Sequence, residues 1–353
     1  MSLEFSHIAH RYVARGMPGG ETRALEDVSF TAPAGEITCL LGASGCGKST
    51  LLNLTAGLLP VQEGAIALGG ARLADASASP PPEARPVGLV FQDGALFPHM
   101  TIRDNIGFGL SKDQHGEIEG WLARVGLGDL GKRYPHELSG GQQQRAALAR
   151  AMAPEPQVLL MDEPFASVDI VLRRLLRREC RILLRERGTT TILVTHDPDE
   201  ALDIADRIAV MEGGRIVQFG TPQDLYNAPA SPAVGAIFGG AQIVSAAVKN
   251  GEYESVFGRW SPDCVLGREI GLEEGASVDL LVQGRALRLE LDRDGIAVRD
   301  VHPLGARARV LLQHSSGAQI TAEVPQSAAD HIRAGARYRI KPDPDTLRVF
   351  ARA

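Results

Sequence analysis

Residues 42–50 have the sequence Gly-Ala-Ser-Gly-Cys-Gly-Lys-Ser-Thr, which is the spacing of a phosphate-binding loop. Glycines let a backbone wrap close to a phosphate, so that amide groups and the start of the following helix face the anion. We expect Lys48 to neutralise the β- and γ-phosphates of a nucleotide and the Ser49 hydroxyl to bind Mg²⁺. The predicted nucleotide contacts are Gly42, Ser44, Gly45, Cys46, Gly47, Lys48, Ser49 and Thr50.

Two carboxylates come directly after an apolar run at residues 158–161. Asp162 is the predicted second ligand of Mg²⁺, usually through water, and Glu163 is the predicted base that polarises the attacking water. Acidic residues are also common at solvated strand ends, which is the alternative for this pair taken alone. Behind a phosphate loop, the pattern favours hydrolysis of a nucleoside triphosphate.

Two more polar residues follow apolar runs. Gln92 comes after residues 87–91. We expect it to reach the metal or the water while its loop contacts a neighbouring chain; a loop residue with no role is the alternative. His196 comes after residues 191–195 and is predicted to contact the γ-phosphate and to hold the water with Glu163.

An aromatic side chain and a helix start complete the set of candidate residues. Tyr12 precedes a glycine-containing segment at residues 13–22 and is predicted to stack on adenine, with packing in the core as the alternative. Asp197, Pro198 and Glu200 have the spacing of a helix capping box, so we assign both acids to helix initiation.

The apolar runs that carry these residues are predicted to be strands. Residues 36–41, 87–91, 158–161 and 191–195 are apolar enough to be buried on both faces, as in the mostly parallel sheet of an α/β fold. Ligands of such sheets gather at the carboxyl ends of the strands. Because each run ends at a candidate site residue, the sequence predicts one shared site.

Residues 93–150 are predicted to form a helical subdomain, with helical segments over 102–110 and 142–152. Residues 138–142, Leu-Ser-Gly-Gly-Gln, lie at the start of the second of these segments. Exposed amides, a hydroxyl and a positive helix end would make them a second anion site. A serine helix cap with two turn glycines is the alternative. The residues concerned are Ser139, Gly140, Gly141 and Gln142.

A second domain follows a turn-rich stretch at residues 227–232 and the pair Gly239-Gly240, so we predict domains of 1–240 and 241–353. Beyond the boundary, apolar and polar residues alternate with a period of two, and Asp294-Gly295 is predicted to turn the chain between two strands. The pattern indicates a small antiparallel barrel or sandwich.

Residues 138–142, here called the signature, together with the phosphate loop make the chain resemble the ATP-binding subunits of ABC transporters. The resemblance implies an ABC-type P-loop NTPase domain of α/β class with a helical subdomain, and then a small all-β regulatory domain of OB-like, TOBE type. In this family two such domains pair head to tail, and the signature of one copy closes on ATP held by the other. One phosphate loop and one signature per chain then imply a symmetric homodimer. By the same resemblance Asp169 contacts the opposite site, although the family's usual Ser-Ala-Leu-Asp is Ala-Ser-Val-Asp here.

Within the family, the chain resembles importer ATPases of the ferric-iron, polyamine, sulfate and sugar group, and the ferric-iron branch most. The segments that carry this likeness are residues 92–99, 133–138, 206–211 and 264–267. The resemblance implies Mg²⁺-dependent ATP hydrolysis that drives import of ferric iron. Import of polyamine, sulfate, thiamine or sugar is the alternative, and a soluble ABC ATPase is a weaker one.

The same resemblance implies partners and a location. Membrane permease subunits are expected to bind residues 92–100, and a periplasmic or extracellular solute-binding protein is expected to act indirectly through them. The protein is then expected at the cytoplasmic face of the inner (plasma) membrane, as a peripheral subunit. Neither a signal peptide nor an apolar run of about 18 residues is recognisable, so we expect other chains to cross the membrane.

The overall charge argues against nucleic acid as a partner. The chain has 353 residues with 37 basic and 43 acidic side chains, a net charge of −6, so there is no general basic field. Six arginines between residues 173 and 185 are assigned to the solvated face of an amphipathic helix; a nucleic-acid patch is the alternative, without aromatic residues to support it. The four scattered cysteines indicate a reducing compartment.

Overall fold

The computed structural model describes residues 1–13, 20–166, 168–238, 240–266 and 273–352. They form two compact units, Met1–Leu225 and Tyr226–Ala353. Ser167, Gly239, Gly267 and residues 14–19, on which some of the sequence interpretations fall, lie outside the described residues. The domain boundary at residue 240 stays a prediction.

The described residues of the first unit include ten strands in two sheets: β1 (Leu3–Val13), β2 (Glu21–Ala32), β3 (Ile37–Leu41), β4 (Glu63–Leu68), β5 (Ala71–Asp75), β6 (Val87–Val90), β7 (Val158–Asp162), β8 (Thr190–Thr195), β9 (Arg207–Glu212) and β10 (Arg215–Gly220). One sheet has the order β2-β1-β4-β5, and the other has the order β10-β9-β3-β8-β7-β6. In the second sheet, β9, β3, β8, β7 and β6 run parallel.

The helices of this part of the chain are α1 (Lys48–Ala56), α2 (Ile102–Gly107), α3 (Ile118–Arg124), α4 (Gly140–Met152), α5 (Ile170–Arg187), α6 (Pro198–Ile204) and α7 (Pro222–Asn227). Short 3₁₀ turns lie at Pro82–Ala84, Lys112–Glu117, Gly128–Leu130 and Pro135–Glu137. Helices α2, α3 and α4 make up the helical subdomain between β6 and β7.

The prediction of four parallel strands is confirmed, with each boundary within one residue of β3, β6, β7 or β8. Burial on both faces is wrong for β6, in which Val87, Gly88 and Leu89 are only half-buried, because this strand lies at the outer end of the sheet. Every residue of β3 and β8 is buried, as expected for strands covered on both faces. The predicted α/β class of the first domain is confirmed.

Helix α1 is fixed by its leucines. Leu51, Leu52 and Leu54 are each at most 1% exposed and share a core cluster with Leu40 of β3 and Val194 of β8. Burial of each such side chain contributes about 1.5–3 kcal/mol. This packing holds the phosphate loop, which leads into α1, against the strands that carry the other candidate residues.

The second unit is built mainly of antiparallel strands: β11 (Ala241–Lys249), β12 (Glu252–Ser255), β13 (Gly258–Trp260), β14 (Ser277–Gln283), β15 (Leu287–Pro303), β16 (Arg307–Gln313), β17 (Gln319–Pro325), β18 (Arg337–Pro342) and β19 (Arg348–Ala351). Their sheets have the orders β13-β12-β11-β14-β19 and β17-β16-β15-β18. Helices α8 (Pro232–Ile237) and α9 (Gln326–Ala329) and 3₁₀ turns at Pro262–Cys264 and Gly284–Ala286 complete it. The predicted all-β C-terminal domain is confirmed.

The predicted turn at Asp294-Gly295 is wrong. Strand β15 continues through these residues, and both Leu291 and Ile296 pair with Tyr338 of β18. The intervening residues therefore form a bulge in one long strand. Asp-Gly pairs suit a bulge as well as a hairpin turn, and the continuous partner strand decides between the two.

Candidate functional site

Parallel pairing brings the ends of the central strands to one edge of the sheet. Leu41 at the end of β3 lies opposite Thr195 at the end of β8, and Val194 lies opposite Asp162 at the end of β7. At this edge, the phosphate loop follows β3, Glu163 follows β7 and His196 follows β8. The predicted shared site at the carboxyl ends of the strands thus has its residues side by side.

The phosphate loop places a lysine ammonium among backbone carbonyls. Gly47 has a φ of 106°, and a Cβ there would lie 2.3 Å from Ala24 O, so the tight entry into α1 requires glycine. Lys48 is 5% exposed, and its Nζ donates to Gly42 O at 2.7 Å and to Ala43 O at 2.9 Å. The cation is held inside the loop, where it can meet a phosphate.

Two oxygen-bearing side chains meet beside the loop. Ser49 Oγ donates to Asp162 Oδ1 at 3.3 Å. Burial raises the pKa of Asp162, and the charge of Glu163 acts in the same direction, while the bond from Ser49 and the charge of Lys48 oppose it. A hydroxyl and a carboxylate are the ligand types that Mg²⁺ prefers in proteins, so this pair fits the ion.

Glu163 and His196 form a second pair at the same edge. Glu163 has a φ of 44°, which is uncommon outside glycine, and its amide donates to Val194 O at 3.0 Å. His196 Nδ1 lies 3.1 Å from Glu163 Oε1, with the side chains 60% and 24% exposed. The carboxylate is fixed by a neighbouring group and is open to solvent, as activation of a water molecule requires.

Gln92 lies at the edge of the sheet next to β7. Its position follows from the parallel pairing of Val90 in β6 with Met161 in β7, because Gln92 and Glu163 are each two residues further along. The residue is exposed. Contact of Gln92 with the metal or the water stays a prediction.

The loop after Gln92 is held by two residues that sequence reasoning missed. Asn105 in α2 is fully buried and donates to the carbonyl oxygens of Phe97, Met100 and Thr101 at 3.0–3.2 Å. Arg150 in α4 donates to Ala95 O and Gly94 O at 2.7 and 3.0 Å, and its guanidinium lies 5.2 Å from the Phe97 ring centre. Helices α2 and α4 of the subdomain therefore both hold this loop.

Tyr12 lies next to the start of α1. Its hydroxyl is 3.2 Å from Thr50 Oγ1, and its ring meets His10 edge-on at 4.9 Å. The residue is 41% exposed, so part of it is open to solvent beside the phosphate loop. Stacking on adenine stays a prediction.

The signature caps α4. Ser139 Oγ accepts from Gln142 N at 3.4 Å, and Gln142 Oε1 accepts from Ser139 N at 2.9 Å. Gly141 packs closely on α5, since a Cβ there would lie 2.5 Å from Leu172 Cδ2 and the leucine would have to shift. Ser139 and Gly140 are exposed. The serine cap, which was the alternative interpretation, therefore also leaves the N-terminus of α4 open to an anion.

Asp169 lies just before α5, and a turn at residues 163–166 precedes it in the chain. Ala166 N donates to Glu163 O at 3.1 Å, and Arg173 N donates to Asp169 O at 2.8 Å. Arg173 also donates from its guanidinium to Ala166 O and Val168 O at 3.4 and 3.1 Å. The segment that carries Asp169 is therefore bonded to Glu163 at one end and to α5 at the other.

The assignment of the α5 arginines to a solvated face is wrong for Arg177, whose side chain is 5% exposed. It binds carboxylates of α6 and its N-cap, which sequence patterns could not reveal. Asp197 does cap α6, accepting from Asp199 N at 3.0 Å. Glu200, however, is buried and accepts from Thr195 Oγ1 at 2.9 Å, so helix initiation does not describe its role.

Comparison with known proteins identifies the family. A family model described as "ABC transporter" matches residues 25–166, and one described as "TOBE domain" matches residues 295–350. "Fe(3+) ions import ATP-binding protein FbpC" of Mesorhizobium japonicum is 47% identical over 255 residues, 71% of this chain and 71% of that protein. This chain is an ABC-transporter ATP-binding protein of importer type. ATP binding follows from membership of that family.

Other importer ABC proteins are similar to it. "Sulfate/thiosulfate import ATP-binding protein CysA" of Nocardia farcinica is 50% identical over 226 residues, covering 62% of this chain and 67% of that protein. "Fe(3+) ions import ATP-binding protein FbpC 2" of Rhodococcus jostii is 39% identical over 342 residues, covering 95% and 94%. Among the described residues of this ABC protein, no helix is long and apolar enough to span a membrane. The predicted family is confirmed.

Proposed function

We propose that this ABC protein hydrolyses ATP between two copies of itself and thereby drives a membrane permease that imports a solute. The observation that carries the proposal is the meeting of two pairs at one sheet edge. Ser49 and Asp162 lie 3.3 Å apart, and Glu163 and His196 lie 3.1 Å apart.

The phosphate loop binds the nucleotide in this proposal. Lys48 neutralises charge on the β- and γ-phosphates, the loop amides donate hydrogen bonds to them, and Tyr12 stacks on adenine. Ser49, Asp162 and Gln92 hold Mg²⁺, which, when bound, supplies positive charge to the β- and γ-phosphate oxygens.

Hydrolysis is assigned to Glu163 and His196. Glu163 orients a water molecule and accepts its proton while the water oxygen bonds to the γ-phosphorus. The bond between that phosphorus and the bridging oxygen breaks, and ADP leaves with the electron pair. His196 holds the Glu163 carboxylate and contacts the γ-phosphate, so that nucleophile and phosphate stay in line.

A second copy completes each site. Ser139, Gly140, Gly141 and Gln142 of the opposite copy present a helix start to the γ-phosphate, and Asp169 contacts the facing site. Head-to-tail pairing of two identical chains gives two such sites. ATP then joins the copies, and hydrolysis releases them.

Permease subunits are assigned to the loop at residues 92–100. Asn105 and Arg150 fix this loop, and Phe97 packs on Phe108, with ring centres 4.5 Å apart and Phe108 59% exposed. An exposed apolar ring beside a loop that is held in place suits a short helix from a partner chain. A solute-binding protein outside the cell acts through the permease, which places this subunit at the cytoplasmic face of the membrane.

Ferric iron is the proposed cargo, supported by the FbpC relative that covers 95% of this chain. Sulfate or thiosulfate is the second candidate, because a CysA relative is 50% identical over 226 residues. Uptake of ⁵⁵Fe³⁺ and of ³⁵S-sulfate in the source organism, with the gene deleted and then restored, separates them. Loss of sulfate uptake alone would overturn the iron assignment.

Hydrolysis of ATP by two paired copies is tested by Glu163→Gln, which keeps the size of the side chain and removes the base. The variant should bind ATP without turnover and elute from gel filtration as a dimer in ATP and as a monomer in ADP. A variant that stays monomeric with ATP bound would contradict the pairing.

A further inference from the structure

We infer that Arg177 is a positioning residue for hydrolysis. From its buried position it bonds to the turn around His196 and so holds His196 beside Glu163. The inference rests on the proposed function and adds a residue that no sequence motif of the site contains. The Arg177 side chain lies in α5 and is 5% exposed.

The guanidinium of Arg177 gathers three carboxylates from one short stretch of chain. Its Nη2 donates to Asp197 Oδ2 at 2.6 Å and to Glu200 Oε2 at 3.5 Å, and its Nη1 donates to Asp203 Oδ2 at 3.4 Å. Burial opposes ionisation of Asp197, but the bond and charge of Arg177 outweigh it, so the pKa of Asp197 is lowered. The pair is ionised at neutral pH.

Both neighbours of His196 in the chain are tied to this cluster. Asp197, directly after it, binds Arg177, and Asp197 N donates to Thr195 Oγ1 at 3.0 Å. Thr195, directly before it, donates from Oγ1 to Glu200 Oε2 at 2.9 Å. The backbone of His196 is therefore held on both sides by groups that meet at one guanidinium.

The other member of the catalytic pair is tied to the same helix. Arg173, one turn before Arg177, donates to the carbonyl oxygens of Ala166 and Val168 in the turn that follows Glu163, and its Nη1 lies 4.0 Å from Asp197 Oδ2. Helix α5 thus contacts the segment after Glu163 and the segment around His196 with residues four positions apart, which lie on one face.

Stability alone is a weak reason for this arrangement. A buried ion pair loses much of its Coulombic gain to desolvation, and an apolar pair of similar volume is often as stabilising. An apolar side chain could not, however, fix three carboxyl groups in defined directions. Arginine, with a planar fork of donors, can.

A double-mutant cycle tests the inference in the full chain. The variants are Arg177→Met, His196→Ala and both together, with single-turnover ATP hydrolysis, steady-state KM and nucleotide Kd measured for each. Arg178→Met is the matched control, since Arg178 is the next residue and is exposed.

We expect Arg177→Met to lower the hydrolysis rate by about 10- to 100-fold with Kd for ATP within about twofold, because the histidine is displaced while the phosphate loop is untouched. In the His196→Ala background, Arg177→Met should cause no further loss of hydrolysis rate. Arg178→Met should match the unmodified protein.

An equal loss from Arg177→Met in both backgrounds would overturn the inference and leave the proposed function standing. An unchanged hydrolysis rate in His196→Ala would overturn both. If Arg177→Met fails to fold, Asp197→Asn replaces it, because asparagine still caps α6 but loses the charge that pairs with Arg177. The cycle is then read in the same way: an equal loss from Asp197→Asn in both backgrounds overturns the inference, and no further loss in His196→Ala supports it.

Discussion

Ser49 Oγ lies 3.3 Å from Asp162 Oδ1, although the two residues are 113 positions apart in the chain. Ser49 lies in the first turn of α1, the helix that follows β3. Asp162 ends β7, which is separated from β3 by β8 alone. Three adjacent parallel strands therefore bring a hydroxyl and a carboxylate together as a candidate pair of Mg²⁺ ligands. The chemistry proposed for the protein begins with this contact.

Replacement of Asp162 by Asn should weaken the dependence of ATP hydrolysis on Mg²⁺. An amide oxygen is a poorer ligand than a carboxylate, so we expect the Mg²⁺ concentration for half-maximal activity to rise by about tenfold or more. Binding of ATP in EDTA should change little. Asp129→Asn, at an exposed 3₁₀ turn, is the control. Equal Mg²⁺ titrations for both variants would exclude Asp162 as a ligand.

Replacement of Lys48 by Ala should weaken ATP binding. The side chain is the buried cation of the phosphate loop, and its loss removes a charge-assisted bond to the phosphates. We expect Kd for ATP, measured by calorimetry, to rise about 10- to 100-fold. Lys132→Ala, at an exposed position, should bind as the unmodified protein does. Unchanged affinity in Lys48→Ala would place the nucleotide elsewhere.

Alkylation of Cys46 should block nucleotide binding. Its Sγ lies 3.7 Å from Lys48 Nζ, so an added group would occupy the phosphate loop. Burial raises the pKa of Cys39 and raises the pKa of Cys180 to about 12, so both stay unreactive thiols. N-ethylmaleimide should therefore inactivate the protein, and ATP should protect it.

Serine variants provide the control for this experiment. Cys46→Ser should resist N-ethylmaleimide, while Cys264→Ser, changed in the second unit, should remain sensitive. Equal inactivation with and without ATP would show that the reactive thiol lies outside the nucleotide site.

Glu200 should make stability depend on pH. Burial raises the pKa of Glu200 from 4.5 to about 7, against the bond from Thr195 and the charge of Arg177. A raised carboxyl pKa favours the protonated form in the folded protein, so this stabilisation is complete below pH 4.5 and is lost as pH rises through about 7. Glu200→Gln lacks the titration.

Urea unfolding of both proteins at pH 5 and pH 8 measures this effect. The free energy of unfolding of Glu200→Gln, relative to the unmodified protein, should rise by up to about 3 kcal/mol between the two pH values. A difference that is the same at both pH values would contradict the shifted pKa.

The sequence predicted the elements whose patterns are local. Residues 42–50 and the apolar runs of β3, β7 and β8 carry their own signals, because a glycine loop and a strand buried on both faces each need particular residue types. The site at their ends followed from the rule that parallel strands share an edge.

Contacts between distant segments could not be predicted. Arg177 lies in an amphipathic helix, and the partners that bury it come 20, 23 and 26 residues later in the chain. Asn105 is one of many polar helix residues until the loop that it holds is folded beside it. The role of each residue depends on its tertiary contacts, which cannot be read from a single sequence.

The central claim is that ATP is enclosed between two copies, and cross-linking tests it most directly. Chains with Ser44→Cys and chains with Ser139→Cys, both with Glu163→Gln and with the four native cysteines replaced, are mixed and treated with a short bis-maleimide. Saturating ATP should produce a cross-link between the two kinds of chain, and ADP should not. Absence of that cross-link in saturating ATP, with both thiols reactive, would contradict the account.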